Sequence, residues 1–186
     1  MAIYGRSERE TVQAFERILQ RCPIPVLELH PDNGSEFMNA HLMRYFKEHV
    51  KGVQWTRSRP FHKNDNRFVE QKNATLVRAY FKDARFEHRA QAAMLNELYE
   101  LMGIYYNLFQ PVLRQATKRY IVDETGIVRC QRTHDRAQTP FQRLVASNAA
   151  PTSILNHWQT IYDTTNPLTL KNQIDTLWYA LLETTR

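Results

Sequence analysis

The sequence is short of cysteine: Cys22 and Cys130 stand far apart in 186 residues, with no CxxC and no Cys/His cluster beside either. That spacing excludes a zinc site or a disulfide framework and predicts a reducing compartment. The opening residues MAIYGRSERE contain no apolar signal core, and the most apolar stretch, LMGIYYNLF at 101–109, is too short and too polar at its flanks to cross a bilayer. A cytoplasmic protein without a membrane partner is the expectation. The histidines, His30, His41, His49, His62, His88, His134 and His157, are scattered without the i,i+4 pairing of a metalloprotease helix. There is no internal repeat and no low-complexity tract. No aspartate precedes Asp32.

What is present is an ordinary globular composition, 42% hydrophobic and 24% charged, which suits one domain with an appendage and a real core. The net charge of +6 is unevenly placed. Residues 51–90 hold ten Lys/Arg against four Asp/Glu, whereas residues 1–50 hold six against seven and residues 91–186 nine against eight. A localised basic block points to a polyanionic partner, nucleic acid being the commonest.

Apolar spacing predicts a helix over 8–21 through Val12, Phe15, Ile18 and Leu19, stopped by the prolines of CPIP. VLEL then reads as a strand. A second helix follows in NAHLMRYFKEHV, with Asn39 as N-cap, Met38 stapled on Met43, and Ala40, Leu42, Met43 and Phe46 as its stripe. Gly52 ends it, and VQWTRSRP reads as a second strand. Helices are predicted near 68–83, 90–109, 153–163 and 167–184, the last capped at Asn166. Ile/Val-rich arms around Glu-Thr-Gly in KRYIVDETGIVRCQR predict a hairpin with basic flanks, and TPFQ at 139–142 a capping box with proline at the first helical position. The order implies a small parallel α/β unit of residues 1–110 followed by a hairpin and helical tail over 111–186.

Asp32 closes the first strand and Glu70 opens the helix after the second, with 37 residues between them. Asn33-Gly34 after Asp32 suits a tight reversal, and Glu36 suits a turn or capping role. In a parallel α/β layout, strand ends and the following helix starts meet at one crevice, where ligands bind. Two carboxylates brought together there repel unless a cation lies between them, and Mg²⁺ prefers hard oxygen ligands of this kind.

DNGSEF at 32–37 followed by TRSRPFHKNDNRFVEQKNATLVR at 56–78 resembles the second and third acidic segments of the DDE-type integrase and transposase catalytic core, an RNase H-like fold. The likeness is to bacterial insertion-sequence transposases whose glutamate helix carries an NDN..VEQKN pattern, and YYNLFQPVLR at 105–114 resembles the helix after their core. The resemblance runs from about residue 8 to 145. It implies an α/β fold: an incomplete RNase H-like core of two or three strands with helices, then a mainly helical C-terminal region with a small hairpin. It implies catalytic and metal-binding roles for Asp32 and Glu70, two Mg²⁺ or Mn²⁺ ions as cofactors, and DNA as substrate in metal-dependent phosphoryl transfer. Lys63, Arg67, Lys72, Arg78 and Lys82, close to Glu70 in sequence, become phosphate contacts.

The chain departs from the pattern at the first acid, which the family places on a strand upstream of the helix at 8–21. Glu28 shares a strand face with Asp32 by alternation, but it lies deeper along the strand and reads as a partly exposed or paired strand residue. Losing one member of a unit of catalytic groups costs on the order of 10³-fold or more in rate. A truncated transposase with little activity of its own is therefore expected. The alternative is a non-catalytic DNA-binding or transposase-assembly module. A missing first strand leaves an exposed parallel edge, which predicts self-association or pairing with a full-length transposase.

Overall fold

The Ser7 hydroxyl accepts a hydrogen bond from the Glu10 amide at 3.2 Å, satisfying one of the amides that a helix start leaves without a partner. Helix α1 runs from there over Glu8–Arg21, with Glu8 and Glu10 in its first turn and Arg21 in its last, each placed to favour the helix dipole. The structure, a computed structural model, describes residues 1–5, 7–22, 24–30, 40–50, 52–56, 74–82, 84–122, 124 and 126–185. It is mixed α/β with two two-stranded sheets among the described residues. Two compact units divide it: Met1–Tyr99 with Asp175–Arg186, and Glu100–Ile174.

In the first unit, α1 spans the predicted residues but buries a different line. Thr11 and Ala14 are buried, Val12, Phe15 and Leu19 are half-buried, and Ile18 is exposed. Small side chains at 11 and 14 allow close backbone approach, while Phe15 reaches out to set its ring edge-on to Phe46 at 5.2 Å. Helix α2, Ala40–His49, buries Leu42 and Phe46 completely, one turn apart on one face. Met43, expected on that face, is 47% exposed, because one residue of advance turns it about 100° away. Its supposed staple Met38 and the N-cap Asn39 lie outside the described residues.

Strand β1, Glu28–Leu29, pairs in parallel with β2, Gln54–Trp55, in the register Glu28↔Gln54 and Leu29↔Trp55. Both strands are shorter than the β-prone runs that announce them. The Trp55 ring meets Phe46 edge-on at 5.4 Å, so α2 covers the pair. The positive φ of Gly52, +81°, makes the reversal between α2 and β2.

A π-helical turn at Ala74–Arg78 leads into α3, Ala79–Phe81, inside the span predicted as helix. Phe81 is buried, edge-on to Phe86 at 5.4 Å, and the Trp178 indole donates to the Tyr80 carbonyl at 3.0 Å. Helix α4, Arg89–Ile104, begins at a buried glutamine. The Gln91 Oε1 accepts from the Glu87 and His88 amides, and its Nε2 donates to the Thr184 carbonyl at 3.1 Å. Asn96 exchanges two hydrogen bonds with the Ala2 backbone. Residues 2–5 form no strand; the Asn96 side-chain amide takes up the Ala2 peptide groups.

The second unit takes α4 onward from Glu100 through a π-helical turn at Tyr105–Phe109. The Asn107 side chain donates to the Gly103 carbonyl at 2.7 Å inside that turn. Strands β3, Gln115–Val122, and β4, Val128–His134, form an antiparallel hairpin; helices α5, Pro140–Ser147, α6, Thr152–Thr164, and α7, Pro167–Glu183, follow, α7 passing into the first unit at Asp175. The predicted capping box is present in full: Thr139 Oγ1 accepts from the Gln142 amide at 3.1 Å and Gln142 Oε1 from the Thr139 amide at 2.9 Å. Asn166 caps α7 by accepting from the Leu168 and Thr169 amides. Met102, Leu108, Phe141, Leu170 and Ile174 are buried, and Phe109 stacks on Tyr162 at 5.1 Å.

The hairpin contributes nothing to that core, since every arm residue is exposed. It is held at its base by charge. Asp135 accepts from the Arg114 amide at 2.8 Å and from both terminal nitrogens of Arg143 at 2.5 and 3.2 Å. Arg143 Nη2 also donates to the carbonyls of Val112 and Arg136, and Val112 and Gln138 exchange two backbone bonds. The Arg143 guanidinium, then the Arg114 amide, hold the Asp135 carboxyl below its ordinary range.

Two outcomes test this arrangement. Phe46→Ala should cost about 3–5 kcal/mol in urea unfolding followed by circular dichroism, while Met43→Ala should cost under about 0.5 kcal/mol; equal costs would refute the assignment of the buried face. Because Asp135's folded value is lowered, its stabilisation is complete above the ordinary carboxylate value of about 4 and is lost as pH falls through the lowered one. Asp135→Asn should therefore be less stable than the parent at pH 6, with the gap closing toward pH 2 in acid titrations of the unfolding midpoint.

Candidate metal and nucleic-acid site

Because β1 and β2 run parallel, their C-terminal ends lie at the same edge of the sheet. The ladder there is closed by Gln54 N donating to Leu27 O at 2.8 Å and Thr56 N donating to Leu29 O at 3.1 Å. His30 and Thr56, the residues just after the strands, face each other with His30 Nδ1 at 2.7 Å from Thr56 Oγ1. The Thr56 hydroxyl donates to Glu28 Oε1. A hydroxyl has one hydrogen, so with that proton given to Glu28 the imidazole supplies its own Nδ1–H to the threonine oxygen. The result is a polar relay, His30 to Thr56 to Glu28, across the strand ends. Glu28 is thus a paired strand residue.

Asp32 and Glu70 lie outside the described residues, as do Lys63, Arg67 and Lys72. Asp32 stands two positions after His30 in the sequence, and Glu70 fourteen after Thr56. Among the described residues there is no group of three His, Cys, Asp or Glu able to hold a metal ion. The donor set that the motifs offer, two carboxylates, is of the hard-oxygen type that Mg²⁺ and Mn²⁺ accept.

Arg78 and Lys82 are described and exposed. Arg78 ends the π-helical turn, and its carbonyl accepts from the Lys82 amide at 2.8 Å. Lys82 terminates α3 with φ +48° and ψ −117°, a positive-φ conformation outside the left-handed helical region that a non-glycine residue adopts only under constraint. The following Ala84 amide donates to the Phe81 carbonyl, and Phe81 anchors the turn in the core. The two cations are therefore carried on a short segment fixed by one buried ring. A cavity of about 910 Å³ on the α2 and β2 side has Phe46 and Trp55 in its walls and Arg44, Lys47 and Glu48 among its polar groups; neither Arg78 nor Lys82 lines it.

Sequence reasoning passed over the cations of the hairpin arms as functional groups. Lys118, Arg119 and Arg132 lie on exposed strands and outside the basic block of residues 51–90 in the sequence. The near balance of charge across residues 91–186 hides them. The signal that finds them is narrower: cations flanking two β-branched arms, with the acids Asp123 and Glu124 confined to the turn.

No helix among the described residues is long and apolar enough to cross a membrane. No protein-family model and no solved structure matches the chain. It is similar to the uncharacterized protein y4rM of Sinorhizobium fredii, 38% identical over 109 residues, covering 58% of this chain and 31% of that protein. It is also similar to the transposase for insertion sequence element IS904 of Lactococcus lactis subsp. lactis, 33% identical over 93 residues, covering 48% of this chain and 35% of that protein. The chain thus spans about a third of the length of the curated relatives it matches, and over part of its own length it is transposase-like.

Proposed function

We propose that this chain is part of a DDE-type transposase with an RNase H-like core, acting on DNA, in which Asp32 and Glu70 hold divalent metal. Lys63, Arg67, Lys72, Arg78 and Lys82 contact the phosphates beside them. The observation that carries this reading is the parallel pairing of β1 with β2, because it sets the residues leading into both acidic motifs at one sheet edge. The partial likeness to the IS904 transposase and the basic excess of residues 51–90 support it.

In this reading the two carboxylates bind the cation and the lysines and arginines orient the DNA backbone, holding a scissile phosphate where it can react. Bound Mg²⁺ or Mn²⁺ supplies Lewis-acid stabilisation of charge on phosphoryl oxygens. Residues 1–186 supply Asp32 and Glu70 to that pattern. The basic excess of residues 51–90 equally suits a second reading, a DNA-binding or assembly module that associates with itself or with an intact transposase.

Calorimetric titration of Mn²⁺ into the whole chain separates the two. Outer-sphere groups alone change metal affinity by about 10- to 100-fold, so losing a ligand carboxylate by Asp32→Asn or Glu70→Gln should weaken binding by roughly tenfold or more. Isotherms identical to the parent in both variants would overturn the metal role and leave the module.

A further inference from the structure

The β3–β4 hairpin is exposed on both faces along its whole length. Two-stranded ribbons are marginal in water on their own, yet this one is fixed at its root by the Asp135–Arg143 clamp and the Val112–Gln138 bridge, and braced by Thr117 and Thr133 hydroxyls 2.7 Å apart. Strand register assigns its cations to faces. Lys118 lies directly opposite Arg132 on one face, and Arg119 opposite Gln131 on the other. Like charges directly across a ladder destabilise it, and an anion set between them reverses the sign. Tyr120, two residues beyond Lys118, carries the ammonium 4.8 Å from its ring centroid and extends the same face.

We propose that this ribbon is a contact site for duplex DNA, entering the major groove through residues other than Asp32 and Glu70. Two paired strands with their side chains fit a groove about 12 Å wide. The arms of eight and seven residues extend about 25 Å at strand rise, enough to cross it. A groove has a phosphate wall on each side, which suits cations on both faces; a protein partner covering one face would leave the other cations unused. The arms end in an apolar pair, Val122 63% and Val128 61% exposed, beside a linking segment that carries the acids Asp123 and Glu124 in the sequence; a groove floor bearing thymine methyl groups accepts the valine side chains. The site shares with the transposase reading only the class of its partner.

The test is fluorescence anisotropy of the whole chain with a labelled duplex of ~20 base pairs in EDTA, from about 50 to 200 mM salt. Without metal, binding through Asp32 and Glu70 does not contribute, so the outcome is independent of the Mn²⁺ titration. The triple variant Lys118→Gln, Arg119→Gln, Arg132→Gln should lose roughly tenfold or more in affinity, and its salt slope should fall by about 2 to 3. The matched triple Arg9→Gln, Arg17→Gln, Arg44→Gln should stay within about twofold of the parent, and the charge-keeping Lys118→Arg, Arg119→Lys, Arg132→Lys variant should keep the slope. Circular dichroism verifies folding of each. Equal losses in the two glutamine triples, or no loss in the hairpin triple, would overturn the proposal. So would a hairpin triple that loses self-association in sedimentation while binding DNA like the parent, since the ribbon would then serve a second copy.

Discussion

A single phenylalanine sets the geometry of the first unit. Phe46 is 1% exposed and meets Phe15 of α1 and Trp55 of β2 edge-on, with centroids 5.2 and 5.4 Å away. Two strands of two residues each cannot hold their register by ladder bonds alone, because so few bonds do not offset the entropy of ordering the chain. What fixes them is the helix laid against them. With Phe46 and Leu42 buried beneath α2, Trp55 has one place to go, and β1 follows by pairing with β2. The strand edge and its His30–Thr56–Glu28 relay are consequences of aromatic packing rather than of β-propensity.

The second unit solves a similar problem with charge. A hairpin exposed on both faces has no apolar face to bury, so the usual determinant of strand orientation is absent. Arg143, 14% exposed at its side chain, instead gathers Asp135 and the carbonyls of Val112 and Arg136. Planar guanidinium geometry suits such multiple, directional donation better than an ammonium could. The helix bearing Arg143 is itself started by the Thr139–Gln142 capping box, so the ribbon's root is built on a helix whose own beginning is fully satisfied.

Local chemistry was the legible part of the sequence. Thr139 with Gln142, and Asn166, signal their helices because a cap is decided by a side chain and an amide two or three residues away, although the Ser7 cap of α1 was not foreseen. Both hairpin arms were legible for the same reason. What escaped was set by distance in sequence: the rotation of α1 toward Thr11 and Ala14, the exposure of Met43, and the capture of Ala2 by Asn96. Each depends on a partner that no local pattern specifies. Periodicity narrows the buried face of α1 to a sector, but the residue that touches α2 is decided by how close two backbones can come. Of the candidate site, the strand pairing followed from the β-prone runs; Asp32 and Glu70 rest on motif chemistry.

Arginines and lysines of neighbouring residues here divide by what satisfies them. Arg143 finds its acceptors inside the fold, and its hydrogen bonds hold the Asp135 carboxyl below its ordinary pKa range; it is a structural cation. Lys118 and Arg132 are set opposite one another across a ladder, an arrangement that folding alone does not favour. The contact of the Lys118 ammonium with the Tyr120 ring offsets part of that cost, and a position that breaks a local rule is where function is to be sought. In the proposed DNA contact, phosphate binding would convert that unfavourable pair into a favourable one and release counterions from the DNA. The affinity gained in this way would need no metal, which is why the ribbon and the carboxylates Asp32 and Glu70 can be tested apart.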